Sequence, residues 1–286
     1  MKIATLSKMN TMNMNGTDVT RYLPLEFSKI LSKEPAVTHF FTTRSGGVSE
    51  GAYSSMNLGL FCGDNPVSVD ENRKILCEAL DIAPRRLIVP REVHGNNVYK
   101  IEENFLTLSD EEQQTCLSAC DALITAIPRV CPAVTTADCV PVLLYDKKEK
   151  SIAAVHAGWK GVVKEILPIT IQQMEQAYHS RPENMIAVTG PAIGVKSYQV
   201  NQDVVDAFQT VFNEKDMQHL LYKGNGNTLF IDLKKALFIQ CQKAGILVQN
   251  IEIHPDCTYL QKERYFSARR DSIHSGRMLS GIMLHE

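Results

Sequence analysis

Two histidines and one cysteine stand where short apolar runs give way to turn-forming residues. His94 precedes a glycine, Cys139 precedes a Val-Pro pair, and His156 precedes an Ala-Gly pair. Side chains at such strand ends commonly project into clefts. Two imidazoles and one thiolate suit zinc, and three protein ligands leave a fourth position for water or substrate. These residues therefore predict a catalytic zinc site, although their wide separation in the sequence does not itself establish that they meet.

The same residue types are compatible with other chemistry. Cys139 and His156 alone would serve as nucleophile and general base in a metal-free hydrolase. Two histidines and a cysteine are also the equatorial set of a blue-copper site. A multicopper oxidase needs many histidines in His-x-His pairs, and the eight histidines here contain no such pair. We therefore favour zinc over copper, and no apolar stripe or charge run favours a non-enzymatic binding protein.

A glycine-bearing loop provides a candidate anion site. Arg44 stands at the start of this loop, directly after an apolar run, and Ser45, Gly46 and Gly47 follow it. Exposed backbone N–H groups beside a guanidinium would bind phosphate. The alternative is a tight turn with a surface arginine. Arg270 lies in a second basic cluster, for which the alternative is a solvated, ion-paired turn.

Composition limits the partners and the compartment. The formal net charge is -2 and no basic tract occurs, so we predict no nucleic-acid partner. No apolar segment approaches the roughly 20 residues of a membrane span, and the first 20 residues lack a secretory signal. We therefore predict a cytoplasmic protein whose eight cysteines are reduced. The pattern indicates no particular oligomeric state.

The elements around these residues indicate the fold class. Helices are predicted over 69–80, after Asn201 and after Asp232, with Gly245 ending the last one. Short β-rich runs are predicted at 38–42, 87–89, 98–101, 133–136, 142–145, 152–155, 185–188, 229–231 and 246–253. Several runs are too close together for crossover helices. We predict an α+β fold, a layered α/β sandwich with a mixed β-sheet, in which residues 21–286 form a single domain after a loose arm of residues 1–20.

Successive segments of the chain resemble the motifs of the bacterial laccase-domain family, whose members are also called multicopper polyphenol oxidase-like proteins and are described as purine nucleoside phosphorylases. The resemblance extends from about residue 38 to the C-terminus. The segments are 41–49 (FTTRSGGVS), 55–59 (SMNLG), 93–95 (VHG), 136–142 (TADCVPV), 155–159 (VHAGW), 190–194 (GPAIG) and 269–271 (RRD). Several motifs in the same order are far more specific than one glycine loop.

The resemblance implies zinc on His94, Cys139 and His156. It implies phosphorolysis of inosine, guanosine, adenosine and methylthioadenosine, together with hydrolytic deamination of adenosine. Purine nucleosides and phosphate are thus the expected partners. The chain departs from the family pattern at Glu92, where glutamine is usual, at Lys160, where arginine is usual, and at Gln199, where glutamate is usual. It also departs around the Arg-Arg-Asp motif, at Ala268 and Ser272. The departures bear on purine preference and phosphate binding, not on the metal ligands.

We expect one cleft to contain both the metal and the anion site. Arg44 would hold phosphate for attack on the ribose C1′, with Lys160 or Arg270 as additional cations. Asn57, in one of the matching segments, is assigned to the same substrate site. Asp138, next to Cys139, is predicted to support the metal ligand or to contact the base, with a turn-forming role as the alternative.

Overall fold

The computed structural model describes residues 7–12 and 18–286, with side chains from residue 23 onward. The strands are β1 (Ser7–Met12), β2 (Asp18–Leu23), β3 (Leu25–Glu26), β4 (Val37–Thr42), β5 (Leu87–Ile88), β6 (Val98–Lys100), β7 (Ala122–Thr125), β8 (Cys131–Thr136), β9 (Val140–Asp146), β10 (Ser151–Ala157), β11 (Met185–Thr189), β12 (Gln199–Val200), β13 (Leu221–Lys223), β14 (Leu229–Ile231), β15 (Ile251–Glu252) and β16 (Met278–Leu284). The α-helices are α1 (Pro66–Leu80), α2 (Asp110–Cys116), α3 (Trp159–Val163), α4 (Ile166–Tyr178), α5 (Gln202–Gln209), α6 (Glu214–Leu220), α7 (Leu233–Lys243) and α8 (Ala268–Asp271).

Two mixed sheets form the centre of the molecule. The six-stranded sheet has the order β15-β11-β9-β10-β7-β6, and the five-stranded sheet has the order β3-β4-β16-β8-β5. Most neighbouring strands are antiparallel, but β6 pairs in parallel with β7, β15 with β11, and β5 with β8. A three-stranded sheet, β12-β14-β13, lies beside them. The chain leaves the five-stranded sheet at the end of β8 and enters the six-stranded sheet at β9. The segment between these two strands therefore links the two sheets.

Alternating side chains along the central strands produce four layers. On β10, Ile152 and Ala154 belong to the apolar layer between the two sheets, while Ala153 and Val155 face the helices α3, α4 and α7. The outer face of the five-stranded sheet packs on α1, where Leu76 is fully buried. The predicted layered α+β sandwich with a mixed sheet and a single domain is confirmed.

Helix α1 begins earlier than predicted. It starts at Pro66, and the Asn65 side chain accepts a hydrogen bond from the Val67 N–H. The predicted start at residue 69, which would make Ser68 the N-cap, is therefore wrong, because Ser68 already lies in the first turn. Proline is well suited to a first helical position, since the N–H that it lacks would be unpaired there.

The other predicted helix boundaries agree with the structure. Asn201 is the N-cap of α5. Asp232 caps α7 by accepting a hydrogen bond from the Lys235 N–H, and Gly245 follows the helix with a φ of 97°. Such a left-handed conformation is easy for glycine. The predicted strand 246–253 is wrong as a continuous element, because a 3-10 turn intervenes and β15 pairs only at the sheet edge.

The N-terminal segment is described in part. Strands β1 and β2 pair as an antiparallel ribbon, whereas residues 1–6 and 13–17 of the predicted arm lie outside the described residues. The division of the chain near residue 20 stays our proposal.

None of the helices described is long and apolar enough to cross a membrane. All eight cysteines carry free thiols.

Candidate metal centre

The three predicted ligands meet in the folded chain. The ligand atoms of His94, Cys139 and His156 all lie within 4.8 Å of one another. The Cys139 Sγ is 3.7 Å from the His94 Nε2, and the two imidazole ring centroids are 4.9 Å apart. His94 is exposed, Cys139 is half-buried and His156 is buried. One side of the cluster is therefore open to solvent.

Different elements supply each ligand. His94 follows β5 in a turn and adopts a φ of 58°. Cys139 lies in the connection from β8 to β9, where the chain passes between the two central sheets. His156 lies on β10 and pairs with Pro141 of β9, which places it beside the Cys139 turn. Because the ligands come from both sheets, only the packed sandwich brings them together.

A glycine allows this close approach. Gly158 is the N-cap of α3, and a Cβ at this position would lie 2.8 Å from the His94 Cδ2 and 2.9 Å from the Cys139 Sγ. Distances this short do not occur between unstrained atoms. The glycine in the VHAGW segment is thus required by space beside the ligands rather than by an unusual backbone conformation.

Asp121 links the two histidines. One of its carboxylate oxygens accepts hydrogen bonds from the His94 backbone N–H at 2.8 Å and from the His156 Nδ1 at 2.9 Å. The other accepts from the backbone N–H groups of Val93 and Gly95. Because the His156 Nδ1–H is donated to a carboxylate, the Nε2 lone pair is available to a metal. Asp121 therefore sets both the His94 turn and the His156 tautomer.

The local charges favour a thiolate. Burial disfavours the ionised form of Cys139, but His156 and His94 outweigh this effect and lower its pKa to about 6. Burial also favours the neutral form of Asp121, yet its bonds to His156 and to backbone N–H groups lower its pKa below the ordinary value. Burial disfavours the charged form of His156, but the Cys139 thiolate and Asp121 outweigh it and raise the His156 pKa to about 10, so zinc would displace a proton from this ring. A thiolate and two imidazoles are the donor set that zinc prefers. The residues present therefore fit a zinc ion.

The cluster opens into a cavity of about 770 Å³. A space of this size falls in the usual range of small-molecule sites. Cationic and aromatic groups are prominent among its lining side chains, which include Arg73, Arg91, Lys160, Arg269, Arg277, Phe61, Trp159 and Tyr198. The cavity thus combines a metal-type cluster with groups suited to an anion and to a flat ring.

The Arg44 loop faces elsewhere. Arg44, Ser45 and Arg270 line a separate cavity of about 420 Å³ that contains none of the three clustered ligands. The Arg44 guanidinium donates to the backbone carbonyls of Ser54 and Lys262 at 3.0 Å each. Our expectation of one cleft for the metal and the Arg44 anion site therefore differs from the structure.

The amides of this loop are already paired. The N–H groups of Gly46 and Gly47 donate to the Ser55 Oγ at 3.1 and 3.2 Å, and the Ser45 N–H donates to the Thr43 Oγ1 at 3.3 Å. A Cβ on Gly47 would lie 2.3 Å from the Ser55 carbonyl oxygen. The glycines permit close packing, and the loop has no free row of N–H groups for phosphate.

Arg270 is paired in a similar way. Its guanidinium donates to the carbonyl oxygens of Thr258, Tyr259 and Tyr265, and it forms an ion pair with Asp271 at 2.8 Å. These bonds hold the C-terminal segment together. Among the predicted anion-binding residues, Lys160 is the one that lines the cavity beside the metal cluster.

Asn57 is fully buried and acts within the protein. Its side-chain amide donates to the carboxylate of Asp64 at 2.9 Å, and its carbonyl oxygen accepts from the backbone N–H groups of Gly59 and Arg277. This side chain therefore shapes the chain segment that borders the cavity, and it is not itself a member of the cavity wall.

Asp138 has the turn-forming geometry that we considered as an alternative. Its φ is 91°, and its carboxylate accepts hydrogen bonds from the hydroxyls of Thr258 and Ser267 and from the Arg269 N–H. The carboxylate anchors the start of α8 to the turn that carries Cys139. It supports the position of the thiol through the backbone.

The departures from the family pattern occupy different environments. Glu92 accepts hydrogen bonds from the Thr135 N–H and hydroxyl, and burial raises the Glu92 pKa. Glu92, Lys160 and Ala268 all line the metal-facing cavity. Gln199 offers its backbone carbonyl to Arg269. Ser272 lies just after α8 with a φ of 69°.

Several residues of the site were missed from the sequence. Asp121 directly precedes the apolar run 122–125, which is fully buried. An acid beside such a run was the sequence signal that could have indicated its role at the site. Arg73 lies on α1, which the sequence did not connect to the cluster. Its guanidinium reaches the cavity while donating to the Leu58 carbonyl. Tertiary packing alone reveals this contribution.

Comparisons with known proteins identify the family to which the chain is similar. The family model for the multi-copper polyphenol oxidoreductase laccase matches residues 38–285. A purine nucleoside phosphorylase of Bacteroides thetaiotaomicron is 40% identical over 257 residues, which cover 90% of this chain and 94% of the relative. Adenosine deaminase RL5, from an unknown prokaryotic organism, is 33% identical over 90% of this chain and 97% of its own length.

Solved structures show the same fold. The crystal structure of the hypothetical protein YfiH from Bacillus licheniformis superposes with a TM-score of 0.82 at 30% identity, and the match covers 92% of this chain and 96% of that one. YlmD from Geobacillus stearothermophilus gives a TM-score of 0.81 at 29% identity, covering 88% and 93%. The chain therefore belongs to the laccase-like family whose members include proteins named purine nucleoside phosphorylase and adenosine deaminase.

Proposed function

We propose that this protein is a cytoplasmic, zinc-dependent purine nucleoside phosphorylase that accepts inosine, guanosine, adenosine and methylthioadenosine and also deaminates adenosine. The observation that carries the proposal is the cluster of His94, Cys139 and His156 at the wall of a cavity large enough for a nucleoside. The relatives' names supply the substrate class. Copper is the less favoured metal, because one thiolate and two imidazoles open to a cavity match a three-ligand catalytic zinc site.

The chain's own residues would position the reactants. Asp121 orients His156, and the Cys139 thiolate completes the ligand set. Zinc held there would supply Lewis acidity and lower the pKa of a bound water for deamination. In phosphorolysis the bond from ribose C1′ to the base nitrogen breaks, and a phosphate oxygen bonds to C1′. Holding phosphate in line and stabilising the departing base supply most of the rate increase.

We place phosphate beside the cations of the metal-facing cavity. Lys160 is exposed there, and its Nζ lies 5.7 Å from the Trp159 ring centroid. Arg44 and Arg270 donate to carbonyl groups in the other cavity, so their guanidinium groups support the fold in this proposal. A cation within the cavity can meet phosphate and ribose together.

Product analysis tests the reaction. Inosine with phosphate should give hypoxanthine and ribose 1-phosphate, and adenosine should also give inosine and ammonia. We expect about one zinc per chain by metal analysis, and loss of most of it in Cys139→Ala. Hypoxanthine formed at the same rate without phosphate, with free ribose as the second product, would establish a nucleoside hydrolase instead. Copper in place of zinc would contradict the metal assignment.

A pair of variants tests the phosphate site. Lys160→Ala should raise the KM for phosphate about tenfold or more, because a hydrogen bond to a charged group contributes about 1.5–3 kcal/mol. Arg44→Ala should mainly reduce the unfolding temperature, since it removes bonds to two carbonyl groups. Zinc content and KM for inosine are measured on both proteins. The reverse pattern, with the phosphate KM raised in Arg44→Ala alone, would return the anion site to the Arg44 loop.

A further inference from the structure

The rim of the metal-facing cavity exposes large apolar side chains. Phe61 and Ile273 are each 70% exposed, and both line this cavity. Leu60 and Val93 are further exposed apolar residues in the same lining. Exposed apolar residues that are gathered in one patch often mark a binding surface, whereas single exposed apolar residues are common on any protein. The rim is therefore a candidate surface for a ligand with an apolar face.

Phe61 stands on a loop whose two ends are firmly held. Before it, the Gly59 N–H donates to the Asn57 side chain at 3.0 Å. After it, the Tyr53 hydroxyl donates to the carbonyl of Cys62, itself a buried residue, at 3.0 Å. Phe61 belongs to none of the apolar clusters of the described residues. The fold thus fixes the loop and leaves this ring outside the core.

A cation covers one side of the ring. The Arg91 guanidinium carbon lies 5.0 Å from the Phe61 ring centroid. With 70% of the residue still exposed, the ring retains a bare surface at the cavity. Arg91 therefore contacts the ring through a cation–π interaction. A purine base, with two broad faces and polar edges, has the shape and chemistry to cover it.

The neighbouring rim segment completes this surface. Gly59 lies against Arg277, since a Cβ on that glycine would be 2.6 Å from the Arg277 Cγ, and the Arg277 guanidinium donates to the Ile273 carbonyl. The Phe61 loop and the segment carrying Ile273 are therefore packed side by side. Both belong to the wall that also contains the metal cluster.

We propose that Phe61 is the base-stacking residue of the nucleoside site, with Arg91 behind its ring and the apolar Ile273 beside it. This inference rests on the proposed function. The base would lie at the apolar rim, while ribose and phosphate lie beside the metal cluster and Lys160. Stacking uses the base's faces, so the contact should serve all purines and contribute to affinity rather than to the choice among them.

Calorimetric binding tests this assignment without turnover. Inosine, hypoxanthine and ribose 1-phosphate are titrated into the zinc-loaded wild type, Phe61→Ala and Phe61→Trp. We expect Phe61→Ala to weaken inosine and hypoxanthine on the order of tenfold, the scale typical for loss of one base–aromatic stack. Ribose 1-phosphate should bind as before, and Phe61→Trp should retain base binding. Tyr222→Ala, which removes an exposed aromatic ring away from this cavity, is the matched control.

The outcomes separate this inference from the proposed function. Unchanged affinity for inosine in Phe61→Ala, with an active wild type, would overturn the stacking role alone. Equal weakening of ribose 1-phosphate would also overturn it, because the effect would then be general damage to the site. A wild type that binds no purine ligand would overturn both. Sedimentation of the same proteins detects the alternative occupant: changed self-association with unchanged binding would assign the rim to a second copy of this chain.

Discussion

Asp121 shows how one carboxylate organises two metal ligands. It accepts from the His94 N–H and the His156 Nδ1 through one oxygen, and from two further backbone N–H groups through the other. With every strong acceptor position used, the His94 turn and the His156 ring cannot move independently. Partners of this type commonly change metal affinity by about 10–100-fold when they are replaced.

We expect Asp121→Asn to weaken zinc binding by about 10–100-fold, because the amide lacks the charge that favours the His156 Nδ1–H donor. The measurement is competition for zinc against a chelator of known affinity. Asp146→Asn is the matched control, since Asp146 is also fully buried and accepts from the backbone N–H groups of Lys148 and Arg181. It should lose stability with unchanged zinc affinity. Equal zinc affinity in the two variants would contradict the orienting role.

Among the elements, β4 carries a buried histidine whose state depends on its packing. The Nε2 of His39 accepts a hydrogen bond from the Ser28 N–H at 2.8 Å. Burial lowers the His39 pKa to about 4, although Glu252 opposes this shift. The folded chain therefore binds a proton at this ring less readily than the unfolded chain does. Stability is fully present above the unfolded pKa near 6.5 and decreases as the pH falls toward 4.

The expected result is a loss of about 2 kcal/mol of unfolding free energy between pH 7.5 and pH 5 from this residue alone. His39→Gln keeps an acceptor for the Ser28 N–H and does not titrate, so its stability should depend less on pH over the same interval. Urea unfolding of both proteins at the two pH values measures the difference. Identical pH dependence of the two proteins would exclude His39 as the cause.

For the whole molecule, the metal cluster lies where the two central sheets are joined. Cys139 belongs to the connection between them, and His156 belongs to the six-stranded sheet, while His94 follows a strand of the five-stranded one. Metal bound to all three would tie the layers together. Since the unfolded chain cannot form this site, the binding free energy adds to the stability of the fold.

Removal of zinc should therefore lower the unfolding temperature. A free zinc concentration 100 times the dissociation constant contributes about 2.7 kcal/mol, which corresponds to several degrees for a chain of this size. Differential scanning calorimetry with and without a chelator measures the shift. His156→Ala should unfold at a temperature that the chelator does not change. An equal shift in that variant would place the stabilising metal elsewhere.

The sequence by itself determined the residue types and the local turns. The order of short motifs identified the family, and the Asp232 cap and the glycine after α7 followed from local rules. The donor types of His94, Cys139 and His156 predicted a metal site before any contact was known. Local patterns succeed here because helix caps and turns depend on residues within a few positions of one another.

Only the tertiary structure decided which groups share a cavity. The Arg44 loop has the composition of an anion site, yet the Ser55 hydroxyl occupies its glycine N–H groups. Asp121 and Phe61 look ordinary in the sequence and gain their significance from partners in distant segments. A hydrogen-bond donor can bind a ligand only if no other part of the chain reaches it first, and that outcome depends on how the two sheets pack.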